Sequence, residues 1–312
     1  MTQRLRLAVL DDWEGQWEHA GHTRDLRARY DVTIFSTPIA PAELAATLAP
    51  FSILVLNRER TPLNRATIVA LPQLQIVANT GMGVPHLDRT ALDARRIQLI
   101  VTSGGSTAGV VEQTFALLLG VIKRVPELDA HMRGGASGWE RPIVGELAGR
   151  RFGILGLGTI GAAAGRVAAA FGMHVHAWSR NLTAERAHEL GIERAASPKE
   201  LASRVDVLSL HLRVTPETRN IVDASVLAAL PDGAILLNTA RAELVDEPAL
   251  LRELASGRIS AGLDVFLREP PTDDDPIRDV RGVLSPHIGW MTDRTWENFI
   301  ASVVTQLLAL PA

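Results

Sequence analysis

Apolar runs and helical patterns alternate along the first third of the chain. The runs LRLAVLDD, VTIFS, ILVLN, LQIVANTG and QLIVTS are rich in Val, Ile and Leu, and residues 13–30, 41–48 and 87–96 have helical spacing. A strand that is buried on both faces shows a continuous apolar run instead of polar alternation. The alternation of such strands with helices therefore predicts a doubly wound parallel sheet with right-handed crossovers.

A glycine-rich turn lies within residues 151–180, where an apolar strand is followed by the turn, an alanine-rich helix and a second strand. Its glycines have G-x-G-x-x-G spacing, in which the first allows a tight turn, the second admits a pyrophosphate and the third lets the helix pack against the strand. The N–H groups at the helix start would face the phosphates. The sequence therefore predicts a Rossmann dinucleotide site. The candidate cofactor-binding residues of this turn are Gly156, Gly158, Thr159, Ile160 and Gly161.

Near-continuous apolar strands resume after this stretch, at 206–212, 234–240, 259–265 and 282–287. The predicted fold class is α/β, with two doubly wound parallel-sheet domains. Residues 1–103 plus 289–312 are predicted to form a flavodoxin-like substrate domain, because the amphipathic helix at 292–310 has no strand to follow it and should pack on the first sheet. Residues 104–288 are predicted to form the Rossmann dinucleotide-binding domain.

The segment between the two sheets carries three further expectations. A helix at 104–124 is apolar nearly all round, so it should be buried on every side. Pro126 should then stop or bend this helix. Residues 134–149 combine several glycines with Pro142 and Trp139, which predicts an irregular arm whose Trp would attract a partner subunit.

Composition and charge narrow the class of protein. The 312 residues carry a formal net charge of −3 and 21% are charged, so no basic footprint indicates a nucleic-acid partner. The chain has no cysteine, which excludes disulfides, thiolate zinc sites and a cysteine nucleophile and suits a cytoplasmic protein. The nine His are scattered, and no metal site is predicted. The longest apolar run, at 114–122, is about half as long as a membrane-spanning helix, so no membrane segment is expected.

Three polar residues follow three late strands: Arg241, Glu269 and His287. The carboxyl ends of parallel strands share one edge of a sheet, so these side chains should point into the crevice that would hold a nicotinamide. Taken singly, the His could be structural, the Arg a helix-cap cation and the Glu part of a solvated loop. Together they match the reduction of a 2-keto acid. That reaction needs a cation for the carboxylate, a proton donor for the carbonyl oxygen and a group that keeps this donor oriented and protonated.

These residues lie in sequence motifs that occur along nearly the whole chain. The motifs are NTGMGVPHLD (79–88), GSTAGVVEQ (105–113), ELAGRRFGILGLGTIG (146–161), HLRVTPETRNIVD (211–223), NTARAELVDEPAL (238–250), AGLDVFLREP (261–270) and SPHIG (285–289). In this order they resemble the D-isomer-specific 2-hydroxyacid dehydrogenase family. The sequence departs from the usual family pattern at Val111, Ala242 and Trp290, and the indole at 290 leaves the size of the substrate open.

The resemblance implies roles for individual residues. The three strand-end residues would form the catalytic set, and the Met82 and Gly83 amides would help to hold the substrate carboxylate. Thr107 would approach the nicotinamide, and Asp264 would contact its carboxamide side. The remaining candidates for cofactor binding are Thr215, Thr239, Ala240 and Gly289, and those for substrate binding are Arg58 and Trp290. The family also implies a homodimer.

The cofactor preference depends on the end of the second Rossmann strand. An NAD-preferring site usually has Asp or Glu there to bind the ribose hydroxyls, whereas HVHAWSRN places Ser179 at this position. Ser179 can donate to a 2′-phosphate, Arg180 can pair with it and Asn181 adds a further donor. The sequence therefore favours NADP(H), with NAD(H) as the alternative if Arg180 points to solvent.

The predicted function is an NAD(P)-dependent oxidoreductase that transfers a hydride between the cofactor and C2 of a small 2-hydroxy or 2-keto acid. A nucleotide-sensing binding protein of the corepressor type, on the same fold, is the alternative. A hydride-free enzyme would need catalytic residues and insertions that the sequence lacks. Neither the substrate side chain beyond C2 nor the physiological direction follows from the residues.

Overall fold

The computed structural model describes residues 4–102, 105–135, 139 and 141–311. Contacts within the chain divide it into two compact units, which are called unit 1 (Met1–Gly105 with Thr292–Ala312) and unit 2 (Ser106–Met291). The boundary that the sequence predicts between residues 103 and 104 lies outside the described residues. The chain passes from one unit to the other twice.

Unit 1 contains a parallel five-stranded sheet in the order β2-β1-β3-β4-β5, the flavodoxin-like order. Its strands are β1 (Arg6–Leu10), β2 (Asp31–Ile34), β3 (Ile53–Leu56), β4 (Ile76–Asn79) and β5 (Gln98–Val101). The helices between them are α1 (Gln16–His19), α2 (Gly21–Arg29), α3 (Leu44–Leu48), α4 (Arg65–Val69) and α5 (Arg89–Ala94). The single helix predicted at 13–30 is wrong, because Ala20 is extended, with φ −68° and ψ 131°, and separates α1 from α2.

Both faces of this sheet are buried, which explains why its strands are continuously apolar. In β1, Ala8 and Leu10 belong to one apolar cluster, whereas Leu7 and Val9 belong to another on the opposite face. All four residues of β3 are likewise buried. Burial on two sides requires helices on two sides, as in other doubly wound sheets.

Unit 2 contains a parallel seven-stranded sheet in the order β12-β11-β10-β9-β6-β7-β8. Its strands are β6 (Arg151–Leu155), β7 (His174–Trp178), β8 (Glu193–Arg194), β9 (Val207–Leu210), β10 (Ile235–Asn238), β11 (Ser260–Leu263) and β12 (Gly282–Leu284). Its helices are α6 (Thr107–Lys123), α7 (Val125–Arg133), α8 (Thr159–Ala170), α9 (Ala184–Glu189), α10 (Pro198–Ser203), α11 (Ala224–Ala229) and α12 (Glu247–Ala255). The strand order reverses between β6 and β9, as in a Rossmann sheet, and the two parallel sheets confirm the predicted fold class.

The helix α6 differs from its prediction in two ways. Ala108, Glu112 and Ala116 are exposed along one stripe, so the helix of the single chain is not buried on every side. It ends before Arg124, which adopts the left-handed conformation with φ 55°. Pro126 lies in the first turn of α7, where its missing N–H has no helical partner to lose, so it neither stops nor bends α6.

The last helix, α13 (Asp293–Leu308), belongs to unit 1 and packs on α2. Tyr30 Oη donates a hydrogen bond to the Leu307 carbonyl over 2.9 Å, and Arg29 donates to the Leu308 carbonyl over 2.6 Å. The buried face of α13 includes Trp296, Phe299, Ile300, Val303, Val304 and Leu307. None of the helices in the described part of the chain has the length and apolar character to span a bilayer.

Candidate active site

The three glycines of the dinucleotide turn have different surroundings. Gly156 has φ 106°, and a Cβ there would lie 2.9 Å from the carbonyl oxygen of His211. Gly158 faces open space, with no heavy atom within 4 Å of a Cβ position. A Cβ on Gly161 would overlap the carbonyl oxygen of Gly156. The first and third glycines are therefore needed for close packing, and the second leaves the turn open to a ligand.

The start of α8 can receive an anion at this turn. Thr159 and Ile160 are its first two residues, and the preceding Gly158 provides no side-chain cap. The first N–H groups of a helix have no partner within the helix, and the helix dipole favours negative charge there. The turn therefore fits the pyrophosphate of a dinucleotide.

The end of β7 carries the residues predicted to read the adenosine ribose. Ser179 is partly buried, whereas Arg180 and Asn181 are exposed. Arg180 acts electrostatically on Glu217, a residue that the sequence analysis did not select. The pKa of Glu217 is lowered by the hydrogen bond from Thr215 Oγ1, which spans 2.7 Å, then by its own backbone N–H and by the Arg180 charge.

The carboxylate of Glu217 therefore lies beside the predicted cofactor residue Thr215. The loop that carries both residues is closed by a 2.7 Å hydrogen bond from the Thr215 N–H to Thr218 Oγ1. Glu217 lies within the motif at 211–223, but it follows β9 and is 37 positions after Arg180 (217 − 180), so nothing in the sequence connected the two residues. The carboxylate of Glu217 therefore partly neutralises the charge of Arg180 in the absence of a phosphate.

Glu269 and His287 form the clearest polar pair of unit 2. Glu269 Oε2 lies 2.7 Å from His287 Nδ1, and Glu269 Oε1 accepts a hydrogen bond of 3.0 Å from the Phe266 N–H. Their side chains are 38% and 30% exposed, so both can reach a ligand. The neighbouring strands β11 and β12 bring them together from positions 18 residues apart. The pair leaves His287 Nε2 available for proton transfer.

Arg241 follows β10, the next strand of the sheet. Its backbone is extended, with φ −153°, and a 3-10 turn (Ala242–Leu244) begins directly after it. A cation at the start of a helical turn gains nothing from the helix dipole, which disfavours the helix-cap interpretation. The buried Asn238 holds this segment, because its Nδ2 donates to the Arg241 carbonyl over 2.9 Å and its Oδ1 accepts from the Ala240 N–H over 3.0 Å.

The remaining cofactor candidates of unit 2 also follow strands or begin a helix. Thr239 follows β10, and its hydroxyl lies 2.9 Å from that of Thr114 on α6. Thr107 is the first residue of α6 and is partly buried. Gly289 is buried, and Trp290, which follows it, is partly buried. These placements neither add nor remove a candidate.

Asp264 is almost fully buried and holds the segment that carries His287. Its Oδ1 accepts hydrogen bonds from Ser285 Oγ over 2.5 Å and from the Ile288 N–H over 3.0 Å. Its Oδ2 accepts from the Gly289 N–H over 2.8 Å. The carboxylate thus binds three groups of this chain, a role that the sequence did not reveal.

In unit 1, the predicted substrate residues lie at the ends of β3 and β4. Arg58 has φ 62°, and its N–H donates to Thr80 Oγ1 over 2.9 Å. The Gly81 N–H donates to Thr102 Oγ1 over 2.7 Å, so this amide is already bound within the chain.

The next two amides of this turn differ from that of Gly81. Within the described residues, no hydrogen bond is recorded from the Met82 or Gly83 N–H. Met82 is 61% exposed, and a Cβ on Gly83 would lie 2.8 Å from Glu59 Oε1. These two amides can therefore bind an anion, although a carboxylate lies nearby.

No metal site accompanies these residues. In the described ranges, no group of three or more His, Asp or Glu side chains is arranged to hold a metal ion. The polar groups that converge on the strand ends are donors and one carboxylate–imidazole pair. Such a set suits proton transfer and anion binding.

Comparisons with known proteins place these features in a family. Residues 115–289 match the sequence model described as D-isomer specific 2-hydroxyacid dehydrogenase, NAD binding domain. The D-3-phosphoglycerate dehydrogenase of Mycobacterium leprae is 37% identical over 241 residues, which are 76% of this chain and 45% of that protein. The chain therefore spans about half the length of such relatives. The glyoxylate reductase of Thermococcus litoralis is 35% identical over 248 residues, 76% of this chain and 74% of its own.

Solved structures agree over almost the whole chain. The TT0316 protein of Thermus thermophilus has a TM-score of 0.87 and 32% identity, and the match covers 98% of this chain and 96% of that one. The phosphoglycerate oxidoreductase of Vibrio cholerae has a TM-score of 0.86 and 28% identity, with 97% and 98% covered. The sequence match and the long glyoxylate reductase match together show that the chain belongs to the D-isomer-specific 2-hydroxyacid dehydrogenase family.

Proposed function

We propose that this chain is an NAD(P)-dependent oxidoreductase that transfers a hydride between a nicotinamide and C2 of a small 2-hydroxy or 2-keto acid. The proposal depends on the 2.7 Å contact between Glu269 Oε2 and His287 Nδ1. Glu269 follows β11 and His287 follows β12, and β11 pairs with both β12 and β10, the strand that Arg241 follows. A carboxylate that binds one imidazole nitrogen leaves the other to exchange a proton with a substrate oxygen.

Each of these residues has one role in the proposed reaction. The bound nicotinamide supplies the hydride for reduction or accepts it in oxidation. Arg241 binds the substrate carboxylate through two N–H groups. In reduction His287 Nε2 gives its proton to the C2 oxygen, and in oxidation it takes that proton from the hydroxyl. Glu269 binds His287 Nδ1 and fixes the orientation of the ring.

Other residues are proposed to bind the ligands. The N–H groups of Met82 and Gly83 would bind a carboxylate, supported by their lack of a recorded partner among the described residues. Trp290 would limit the size of the substrate beyond C2. Thr107 and Asp264 would lie beside the nicotinamide, as the family resemblance implies.

For the cofactor, we propose a preference for NADP(H) over NAD(H). Ser179 and Arg180 stand where a carboxylate would repel the 2′-phosphate, and both can donate to it. Glu217 weakens this preference, because its carboxylate interacts electrostatically with Arg180 and would repel a phosphate. NAD(H) should therefore still be used.

The reaction is tested with a panel of 2-keto acids, including glyoxylate and hydroxypyruvate, by following loss of reduced-cofactor absorbance. His287→Ala should lower kcat by about 10²- to 10⁴-fold. Arg241→Ala should lower kcat and raise KM. His188→Ala, an exposed residue of α9, is the control and should retain full activity. Cofactor binding without turnover of any keto acid would favour the nucleotide-sensing alternative.

The cofactor preference is tested by kcat/KM with NADPH and NADH for the wild type, Ser179→Asp and Arg180→Ala. Ser179→Asp should reverse the preference, because it restores the carboxylate that binds the ribose hydroxyls. Arg180→Ala should lower only the NADPH value. A wild type that prefers NADH would contradict the proposed preference for NADP(H). It would leave the proposed hydride transfer unaffected.

We further propose a cytoplasmic homodimer. Several large apolar side chains of unit 2 are exposed in the single chain: Val125 (55%), Met132 (50%), Trp139 (68%) and Ile143 (100%). Apolar surface of this kind is commonly covered by a second subunit. Light scattering should give twice the mass of 33.7 kDa for the wild type. Ile143→Asp should shift the mass towards that of the monomer, and cell fractionation tests the location.

A further inference from the structure

A chain of hydrogen bonds connects α6 to the segment that carries His287. Gln113 Nε2, on α6, donates to Ser285 Oγ over 2.8 Å. Ser285 Oγ in turn donates to Asp264 Oδ1 over 2.5 Å. The direction is unambiguous at the first step, because an amide NH₂ can only donate. The Ser285 hydroxyl therefore donates its hydrogen bond to the buried Asp264 carboxylate.

Two of these side chains, Asp264 and Gln113, also pack closely against the segment. A Cβ on Gly289 would lie 2.9 Å from Asp264 Oδ2 and 3.4 Å from both Cβ and Cγ of Gln113. Residues 285–289, here called the His287 loop, therefore lie against α6 and the end of β11. The aliphatic part of Gln113 contacts one end of the loop, and its amide binds the other.

The His287 loop needs such support because of its backbone. His287 has φ 54°, a left-handed conformation that is unfavourable for a residue with a Cβ. Its N–H donates to the Ser285 carbonyl over 3.0 Å, which closes a tight turn. A strained conformation persists only where the surrounding structure specifies it. The ring can meet Glu269 at 2.7 Å only while this turn is held.

We propose that Gln113 and Ser285 are positioning residues, which act through Asp264 to hold the His287 loop in the conformation that presents the imidazole. The inference rests on the proposed function, because it concerns the residue that transfers the proton. Neither side chain needs to touch the substrate or the cofactor. They lie 172 positions apart, so no local motif links them.

The arrangement predicts a particular kinetic effect. A loop that samples other conformations presents the imidazole for a smaller fraction of the time, which lowers kcat more than it alters KM. Loss of one hydrogen bond in the chain should reduce kcat about five- to tenfold. Because the two donors act in series, the double variant should lose little more than Ser285→Ala alone.

The experiment compares Gln113→Ala, Ser285→Ala, their double variant and Ser285→Thr in the full chain. Steady-state kinetics supply kcat and KM, fluorescence titration supplies the Kd for the reduced cofactor, and amide hydrogen exchange reports on the peptide that covers residues 285–291. In both Ala variants we expect lower kcat and faster exchange, with a smaller fold-change in the cofactor Kd than in kcat. Ser285→Thr keeps the hydroxyl and should restore kcat and slow exchange.

Gln306→Ala is the matched control, because Gln306 Nε2 also donates to a serine hydroxyl, that of Ser302 on α13. It should leave kcat and loop exchange unchanged. Wild-type kcat and exchange in both Gln113→Ala and Ser285→Ala, or an effect of equal size in Gln306→Ala, would overturn the proposal.

The exchange measurement separates this proposal from the proposed function. If His287→Ala retains activity, the catalytic assignment fails. Faster exchange of the His287 loop in Gln113→Ala would still show that the loop is held. If Ser285→Ala does not fold, Gln113→Ala alone decides the question, because it leaves the contact between Ser285 and Asp264 in place.

Discussion

His211 links the pH of the solution to the stability of unit 2. It follows β9, and its carbonyl oxygen lies against Gly156 in the dinucleotide turn. Its Nε2 lies 2.9 Å from Ser209 Oγ. Burial lowers the pKa of His211 from 6.5 to about 4, because the charged ring would lose its hydration. The ring is therefore neutral in the folded protein at physiological pH.

The size of the effect follows from this difference in pKa. His211 takes up a proton near pH 6.5 in the unfolded chain and only near pH 4 in the folded chain. The folded state therefore loses stability as the pH falls from 6.5 to about 4. Above this window both states are neutral, and below it both are charged. A difference of about 2.5 pH units corresponds to about 3 kcal/mol, a large fraction of the roughly 5–15 kcal/mol that stabilises a typical domain.

The substitution His211→Gln removes the titration and keeps a hydrogen-bonding group near Ser209. Urea unfolding of unit 2, followed at several pH values from about 7 to 4.5, supplies the free energy of unfolding for each protein. The wild type should lose about 2 kcal/mol relative to the variant over this range. His188→Gln is the control, because that ring is exposed on α9. A difference between wild type and His211→Gln that stays constant with pH would refute the role of burial.

Three further predictions concern the proposed reaction, the turn and the sheet. Glu269→Gln should lower kcat more than it alters KM, because a neutral amide binds the His287 ring less firmly than the carboxylate does over 2.7 Å; an unchanged kcat would contradict this role. Gly161→Ala should weaken cofactor binding in a fluorescence titration, since its Cβ would overlap a backbone carbonyl oxygen; an unchanged Kd would contradict the tight turn. The Arg151 hydrogen bond lowers the pKa of Asp206, so Arg151→Met should cost at most about 1 kcal/mol at neutral pH. This difference should shrink as the pH falls below the ordinary carboxyl pKa and should vanish only below the lowered pKa of folded Asp206, which urea unfolding at acid pH would show.

The strands could be predicted because most of them are buried on two faces. Residues such as Leu54 and Leu236 have no polar neighbours in the strand, so continuous apolar runs identified their segments. The short strand β8 was missed because Glu193 and Arg194 are both exposed at the edge of the sheet. An edge strand with charged side chains carries no apolar signal.

Helix boundaries depended on contacts that the pattern does not contain. The first predicted helix is divided because Asp12 accepts hydrogen bonds from the Trp17 and Glu18 N–H groups and so starts a separate short helix. Trp17 is anchored from another strand end, where its Nε1 donates to Asn57 Oδ1 over 2.9 Å. Such a bond connects residues 40 positions apart, which hydrophobic periodicity cannot show.

The candidate site also depends on contacts that the sequence pattern does not contain. Glu269 and His287 could be selected because each follows an apolar strand and the two strands were expected to lie in one sheet. Gln113 has no such position, since it lies within a helix whose pattern reports only burial. Its role emerges from one contact with Ser285. Residues that support a site are therefore harder to find from a single sequence than residues that end its strands.

Positive backbone φ angles mark positions that the residue types alone do not indicate. Among the described residues, six that are not glycine have positive φ, and three of these follow parallel strands: Asp11, Arg58 and His287. Ligands bind beyond the carboxyl ends of parallel strands, and strained residues are retained where the fold specifies them. For Arg58 and His287 the strain therefore coincides with positions that were predicted to bind or react with the substrate. His287→Ala removes the ring and keeps the Cβ and the strain, whereas His287→Gly removes the whole side chain and relieves the strain, so a comparison of the two variants separates proton transfer from conformation.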